Sequence, residues 1–226
     1  LRQEYQQVTD SLDQLHGLYH AFIKARKQRG AIDFDTVETK IEFDENRKIN
    51  EIVPVVRNDA HKLIEECMIA ANVCAAKFLQ KNRVPTLFRV HEGPKEDRLE
   101  MLYQFLGQLG ISFSHKGDIP TPLDYARLLD SIKDRPDYSL IQTVLLRSLS
   151  QADYRPQNLG HYGLSLEAYG HFTSPIRRYP DLLVHRAISH LLSGGKGSDF
   201  YLQMGAMEKL GRHCSMTERR ADEATR

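Results

Sequence analysis

Residues 161–192 read HYGLSLEAYGHFTSPIRRYPDLLVHRAISHLL, and the part from His171 to Leu182 decides how the rest of the chain is read. This part is too polar for a core and too patterned for a solvated loop. Ser174 is a residue type that caps helices, and Pro175 suits a first helical position, where its missing N–H costs nothing. Pro180 cannot donate to the carbonyl of Ile176, so a helix must restart there. The expectation is a turn through 174–178 followed by a helix from about 180 to 192. Arg177 and Arg178 would then stand near the positive end of a helix dipole, where free N–H groups and guanidinium forks suit a phosphate. Asp181 lies four residues after Arg177 and four before His185, so it is placed to orient either one. The competing reading makes both arginines surface charges paired with Asp181, and these residues alone leave the choice open.

Upstream, Val8, Leu12, Leu15, Tyr19 and Phe22 recur at spacings of four and three, a helical stripe that ends before Gly30. Lys24, Arg26, Lys27 and Arg29 close that helix as its dipole favours. The period changes to two across 31–43, where Val37, Ile41 and Phe43 alternate with Glu38, Lys40 and Glu42. A second strand spans 49–56, and Asp44-Glu45-Asn46 joins the pair as a hairpin with one wet face. Asp59 is the expected cap of a helix to about Lys81, with Leu63, Cys67, Cys74 and Phe78 on its buried side. Glu65 and Asn72 project from one face of it, two turns apart, while Glu66 points elsewhere. Polar groups inside so apolar a run need either a buried partner or a ligand.

A short strand over 86–91 stops at Gly93-Pro94, leaving His91 at a strand end, where functional side chains gather. Helices over 95–109, from the Thr121 cap to 132, and over 138–150 carry apolar faces and read as scaffold. Tyr162, Leu164 and Leu166 alternate as in a strand. A Ser/Gly loop at 193–198 leads to a last helix with Met204, Met207, Leu210, Cys214 and Glu218. The sum is an α+β chain, mostly helical, with a small mixed or antiparallel sheet.

Five ordered blocks resemble those of the ribonuclease II / ribonuclease R family of 3′→5′ exoribonucleases. They are RGAIDF at 29–34, RNDAHKLIEECMIAAN at 57–72, LFRVHEGP at 87–94, HFTSPIRRYPDLLVHR at 171–186 and HCSMTERRADEAT at 213–225. The resemblance implies that 1–226 is a single partial catalytic domain, the C-terminal portion of an RNB-type domain truncated at both ends. It implies processive hydrolysis of single-stranded RNA from its 3′ end to nucleoside 5′-monophosphates. In that scheme Arg177 clamps the scissile phosphate and Glu65 accepts from the 3′-terminal ribose. Phe34 stacks on a base near the RNA end. Ser174, Arg178 and Tyr179 shape the pocket, Asn72 and His91 are further RNA-contact candidates, and Glu218 matches an acid close to the active site.

The family's metal motif is an aspartate cluster of the form D-x-x-D-F-D-D-A, expected upstream of Leu1. Mg²⁺ is therefore expected in the parent enzyme and no metal on this chain. Asp33-Phe34-Asp35 lacks the double aspartate and is not read as a metal site. The isolated chain is expected to have little or no activity. The alternatives are a non-catalytic RNA-binding module that keeps Phe34 and Arg177, and a purely structural helical domain.

Lys and Arg number 31 against 30 Asp and Glu, so positive charge for RNA must be local, as in a channel. Apolar residues at 41% argue for a folded core, in one or two lobes. Three cysteines without a C-x-x-C argue against disulfides and zinc and for a reducing, cytoplasmic setting, with Cys67 and Cys74 read as core residues. No apolar run is long enough to cross a membrane, so no membrane partner is expected. None of His161, His171, His185 and His190 stands one helical turn from another, which argues against a histidine metal site.

Overall fold

The computed structural model describes residues 5–34, 39–55 and 57–224. Helix α1 (Gln6–Arg29) stops at Gly30, whose φ of 76° lets its N–H fold back onto the carbonyls of Arg26 and Lys27. A Cβ at Gly30 would also lie 2.9 Å from that of Leu123, so glycine is required twice over. Strands β1 (Thr39–Phe43) and β2 (Ile49–Pro54) form an antiparallel hairpin. The Asp44 carboxylate pins its turn by accepting from the N–H groups of Asn46 and Lys48, both at 2.8 Å. Helix α2 (Asp59–Lys81) follows, then the short strand β3 (Phe88–Val90) and helices α3 (Glu96–Gln108), α4 (Pro122–Ser131) and α5 (Tyr138–Ser148). Strand β4 (Asp153–Arg155) returns to pair antiparallel with β3, and α6 (Tyr179–Leu192) and α7 (Met204–Ala224) complete the chain.

Two cores result. Leu99, Leu102, Leu106, Tyr125, Leu128, Leu129, Ile141 and Leu145 bring α3, α4 and α5 together, and Ile32 and Phe34 pack against them. The second core joins Ala75 and Leu79 of α2, Tyr154 of β4, Leu183, Val184 and Ala187 of α6, and Met207 and Cys214 of α7. Tyr162 packs on the first core and Phe172 on the second, so the segment between them bridges the two. That bridge leads into the turn before α6.

Most elements lie where the residue pattern puts them, and the differences have physical causes. The α2 cap is Asn58, in a reciprocal box with His61, rather than Asp59. The buried face of α2 is Ala75, Ala76 and Leu79, while Cys74 and Phe78 are exposed and Cys67 is half-buried. Small alanines let β3 and α6 approach closely, and the apolar pattern does not distinguish that face from its neighbour. Glu66, read as pointing away from the Glu65 face, has a partner of its own: it is buried and holds Arg26 at 2.7 Å. Residues 160–167 are a tight reversal, not a strand: His161 and Leu166 exchange backbone hydrogen bonds, and Ser165 adopts φ 51°.

The hairpin has no dry face; β1 is exposed throughout and β2 at all but Val53. Val37, Glu38, Asp35, Val56 and Thr225 lie outside the described residues. The stripe on α1 exists, but Val8, Leu12 and Leu15 face solvent and only Tyr19 of the helix is buried. No described helix is long and apolar enough to cross a membrane.

Candidate nucleic-acid interface

The turn before α6 is built around one carboxylate. Asp181, fully buried in the first turn of α6, accepts from the Ser174 N–H at 2.8 Å and from Nη2 of Arg178 at 2.7 Å. The carbonyl of Ser174 accepts from the N–H groups of Arg177 and Arg178. Ser174 therefore organises the turn through its backbone rather than as a side-chain cap, and the helix cap position falls to Arg178. Asp181 orients neither Arg177 nor His185. His185 instead bonds the Phe172 carbonyl through Nε2 at 2.9 Å and stacks on the Phe172 ring with centroids 4.3 Å apart.

The neighbouring arginines thus differ in kind. Arg178 is largely buried and tied down, whereas Arg177 is exposed and its guanidinium makes no ion pair or hydrogen bond with another described residue. Exposed Tyr179 and a wholly solvent-facing Ile176 flank it. The Arg178 Nε, the Asp181 Oδ2 and the Thr173 hydroxyl are buried in the same turn without partners among the described residues.

Helix α2 fixes the approach to this turn. The Asn72 amide, 3% exposed, accepts from the Phe172 N–H at 2.8 Å and donates to the Tyr169 hydroxyl at 3.0 Å. Its amide thus faces inward and holds the bridge segment. Glu65 lies on the same side of α2, half-exposed, where Arg57 grips it with two hydrogen bonds. One face of α2 therefore presents an accessible carboxylate at one point and anchors the arginine-bearing segment two turns on.

Arg89 ties β3 to α7 through Glu218 at 2.6 Å while lying 4.6 Å from the Tyr154 ring centroid. The Tyr154 hydroxyl meets Nδ1 of His171 at 2.8 Å, and the His171 ring packs edge-on against Tyr169. Burial, joined by the charges of Arg178, Arg89, His161 and Arg177, holds His171 down at about 3. Burial and the neighbouring His91 and Arg89 bring His161 to about 3 as well. His91 is lowered by burial; its Nε2 faces the Ser150 carbonyl at 2.7 Å and its Nδ1 accepts from the Gly163 N–H at 3.0 Å. Both nitrogens are therefore engaged within the protein, which fixes the neutral Nε2–H tautomer. Phe34 is half-buried against the first core.

Arg177, Arg178, Tyr179 and Ser174 thus form one turn, and Asn72 holds the segment leading into it. His91 and Glu218 serve the supporting layer, Phe34 lies on the first core, and Glu65 stands along α2. Residue patterns missed Arg89, Tyr154 and His171 as members of that layer, since β4 is too short to show a period. Among the described residues no group of His, Cys, Asp or Glu converges on a metal position. Glu65, Asp181 and Glu218 are each held by an arginine. This donor set does not fit a divalent ion.

Comparison with known proteins is consistent across sequence and structure. The chain is 52% identical to ribonuclease R of Vibrio cholerae over its whole length and 28% of that protein. It is 49% identical to the Escherichia coli K12 enzyme over 29% of its length. The chain therefore spans less than a third of these curated relatives. Apo Mycoplasma genitalium RNase R superposes with a TM-score of 0.87 at 32% identity, covering 94% of this chain and 34% of that one. The same enzyme in complex with ribose methylated single-stranded RNA gives 0.84. Yeast Ssd1, a pseudonuclease, gives 0.67 at 21% identity over 92% of this chain and 26% of that one, a likeness of fold alone. The RNB domain profile matches residues 2–194, and the chain belongs to the RNB domain family.

Proposed function

We propose that this chain is the 3′-end-gripping part of a processive 3′→5′ exoribonuclease that releases nucleoside 5′-monophosphates. The observation that carries the reading is Arg177, without an ion pair among the described residues, on a turn that Asp181 holds together through the Ser174 N–H and Arg178. A guanidinium held in place without an internal partner suits a phosphate, and the start of α6 adds its positive dipole end. Arg177 clamps the scissile phosphate as charge develops on it. Tyr179 and Phe34 offer ring faces to bases, and Glu65 accepts from the terminal ribose hydroxyls. Mg²⁺ would be held in the complete enzyme by groups outside the described residues, and it would supply Lewis acidity for water there. The chain alone lacks those groups among its described residues, so it binds RNA without cleaving it.

The experiment is a gel assay on uniformly labelled poly(A) with Mg²⁺, run beside a fluorescence-anisotropy titration of the same RNA. Binding without nucleotide release supports the reading. Robust release of monophosphates by this chain refutes its inactivity, and binding unaffected by Arg177→Ala removes the phosphate clamp. A second reading, an RNA-binding module that never cleaves, is favoured by the arginine pairing of Glu65, Asp181 and Glu218. It is separated by placing the chain inside the Vibrio cholerae enzyme, in place of the stretch it matches. A hybrid that digests poly(A) excludes that reading.

A further inference from the structure

One residue grips the reversal at 160–167. The His91 N–H donates to the Gly160 carbonyl at 3.1 Å, and the His91 carbonyl accepts from the Tyr162 N–H at 2.8 Å. Its side chain adds two more bonds. Nδ1 accepts from the Gly163 N–H at 3.0 Å, and Nε2 donates to the Ser150 carbonyl at 2.7 Å. Any residue at position 91 could make the two backbone bonds, but only a side chain of the right shape reaches Gly163. Gly163 in turn leaves no room for a side chain of its own, since a Cβ there would lie 3.0 Å from Nδ1 of His91.

The same reversal holds the segment that ends in Phe34. It offers that segment two successive carbonyls. Gly163 accepts from the Ile32 N–H at 2.9 Å, and Leu164 accepts from Nε of Arg29 at 2.8 Å. Ile32 is buried in the first core, and Phe34, two residues on, packs half-buried against it. Gly163 therefore stands between an imidazole at the end of β3 and the backbone that carries the Phe34 ring. Both His91 nitrogens are occupied inside the protein, so the imidazole has no group left for a phosphate or a base edge.

We infer that His91 is a positioning residue: through Gly163 and Ile32 it fixes the segment that carries Phe34, and so where that ring meets the RNA, a role that rests on the reading of Phe34 as the stacking ring. Aromatic faces stack well only over a narrow range of separations and tilts. A loosened support therefore shows in stacking before it shows in phosphate binding.

The test separates the two side-chain bonds of His91. In His91→Asn the amide oxygen stands near the place of Nδ1 and keeps the Gly163 contact. In His91→Gln the longer side chain serves Ser150 instead. Amide exchange is measured on each variant without RNA, with the Phe172 amide, held by Asn72, as the reference. The Ile32 amide is expected to exchange at least about tenfold faster in His91→Ala and His91→Gln, and as in the parent in His91→Asn. The second readout is the quenching of 2-aminopurine at the 3′ end of poly(A), a signature of stacking. Quenching is expected to fall about twofold or more in Phe34→Ala, His91→Ala and His91→Gln, and to recover in His91→Asn. Ile32 exchange that is equal in the parent and every His91 variant overturns the inference. So does rescue by Gln and not Asn, which would make His91 an anchor for Ser150 alone. Quenching lost in Phe34→Ala but kept in His91→Ala overturns it as well. Quenching kept in Phe34→Ala, with Ile32 exchange following the expected pattern, removes the stacking reading of Phe34 and leaves the hold of His91 on its segment supported.

Discussion

The carboxylate of Asp181 accepts from Nη2 of Arg178 at 2.7 Å, beneath a turn whose next arginine, Arg177, is left in solvent. Adjacent residues of the same type therefore do opposite work. One guanidinium holds the turn together and the other is displayed by it. The buried pair stabilises the shape, and the display carries the proposed chemistry.

Asp181→Ala removes the acceptor for both Arg178 and the Ser174 N–H and leaves a buried cation unpaired. Breaking such a pair costs about 3 kcal/mol. Urea unfolding is expected to show a loss of that order, whereas Arg177→Ala should stay within about 0.5 kcal/mol of the parent. RNA affinity should show the converse, with Arg177→Ala weakening it about tenfold or more. Equal stability losses for the two substitutions would contradict the division of labour.

Asn72→Ala leaves the Phe172 N–H and the Tyr169 hydroxyl without partners inside the protein. Each unsatisfied buried group costs about 1–3 kcal/mol, so a drop of roughly 2–4 kcal/mol is expected. The Phe172 amide should also exchange faster than its neighbours in α6. If Asn72 instead serves mainly as an RNA contact, the substitution would weaken binding with little effect on unfolding.

His161 and His171 are neutral in the fold and take up the second proton, which charges the ring, only near pH 3. In the unfolded chain each takes up a proton at about 6.5, so below that pH the unfolded state binds more protons. Stability is therefore full above about pH 6.5 and falls as the pH drops toward 3. The slope reaches up to about 1.4 kcal/mol per pH unit for each histidine. Urea midpoints at pH 7.5 and pH 5 should differ clearly, and a His161→Gln, His171→Gln double variant should flatten the difference. A midpoint that does not move between these pH values would show that neither imidazole is shielded.

Gly211 faces the Tyr154 carbonyl, and a Cβ there would approach that oxygen to 2.5 Å. Gly211→Ala must push α7 away from β4, at a cost of about 1–3 kcal/mol. The displacement should loosen the Arg89–Glu218 pair as well. Replacing Glu218 with Gln alone should not shift α7, and a crystal structure of each variant distinguishes the two effects.

The helices and their ends were legible because their signals are local. Gly30 after a basic turn, Thr121 before Pro122 and Asp124, and Gly110 after α3 each act within a few residues, so chain order suffices to read them. The order of the blocks from Arg29 to Glu218 likewise determined the family and the candidate arginine. What the sequence could not decide was partner choice. Asp181 is equally spaced from Arg177 and His185 yet bonds Arg178, because the turn, not helical spacing, sets the distance. Glu66 and Asn72 lie inside while Cys74 faces out, because a buried polar group is stable only where a partner waits on another element. Those partners stand 40 and 97 residues away in the chain, and only the tertiary structure brings them within hydrogen-bond reach.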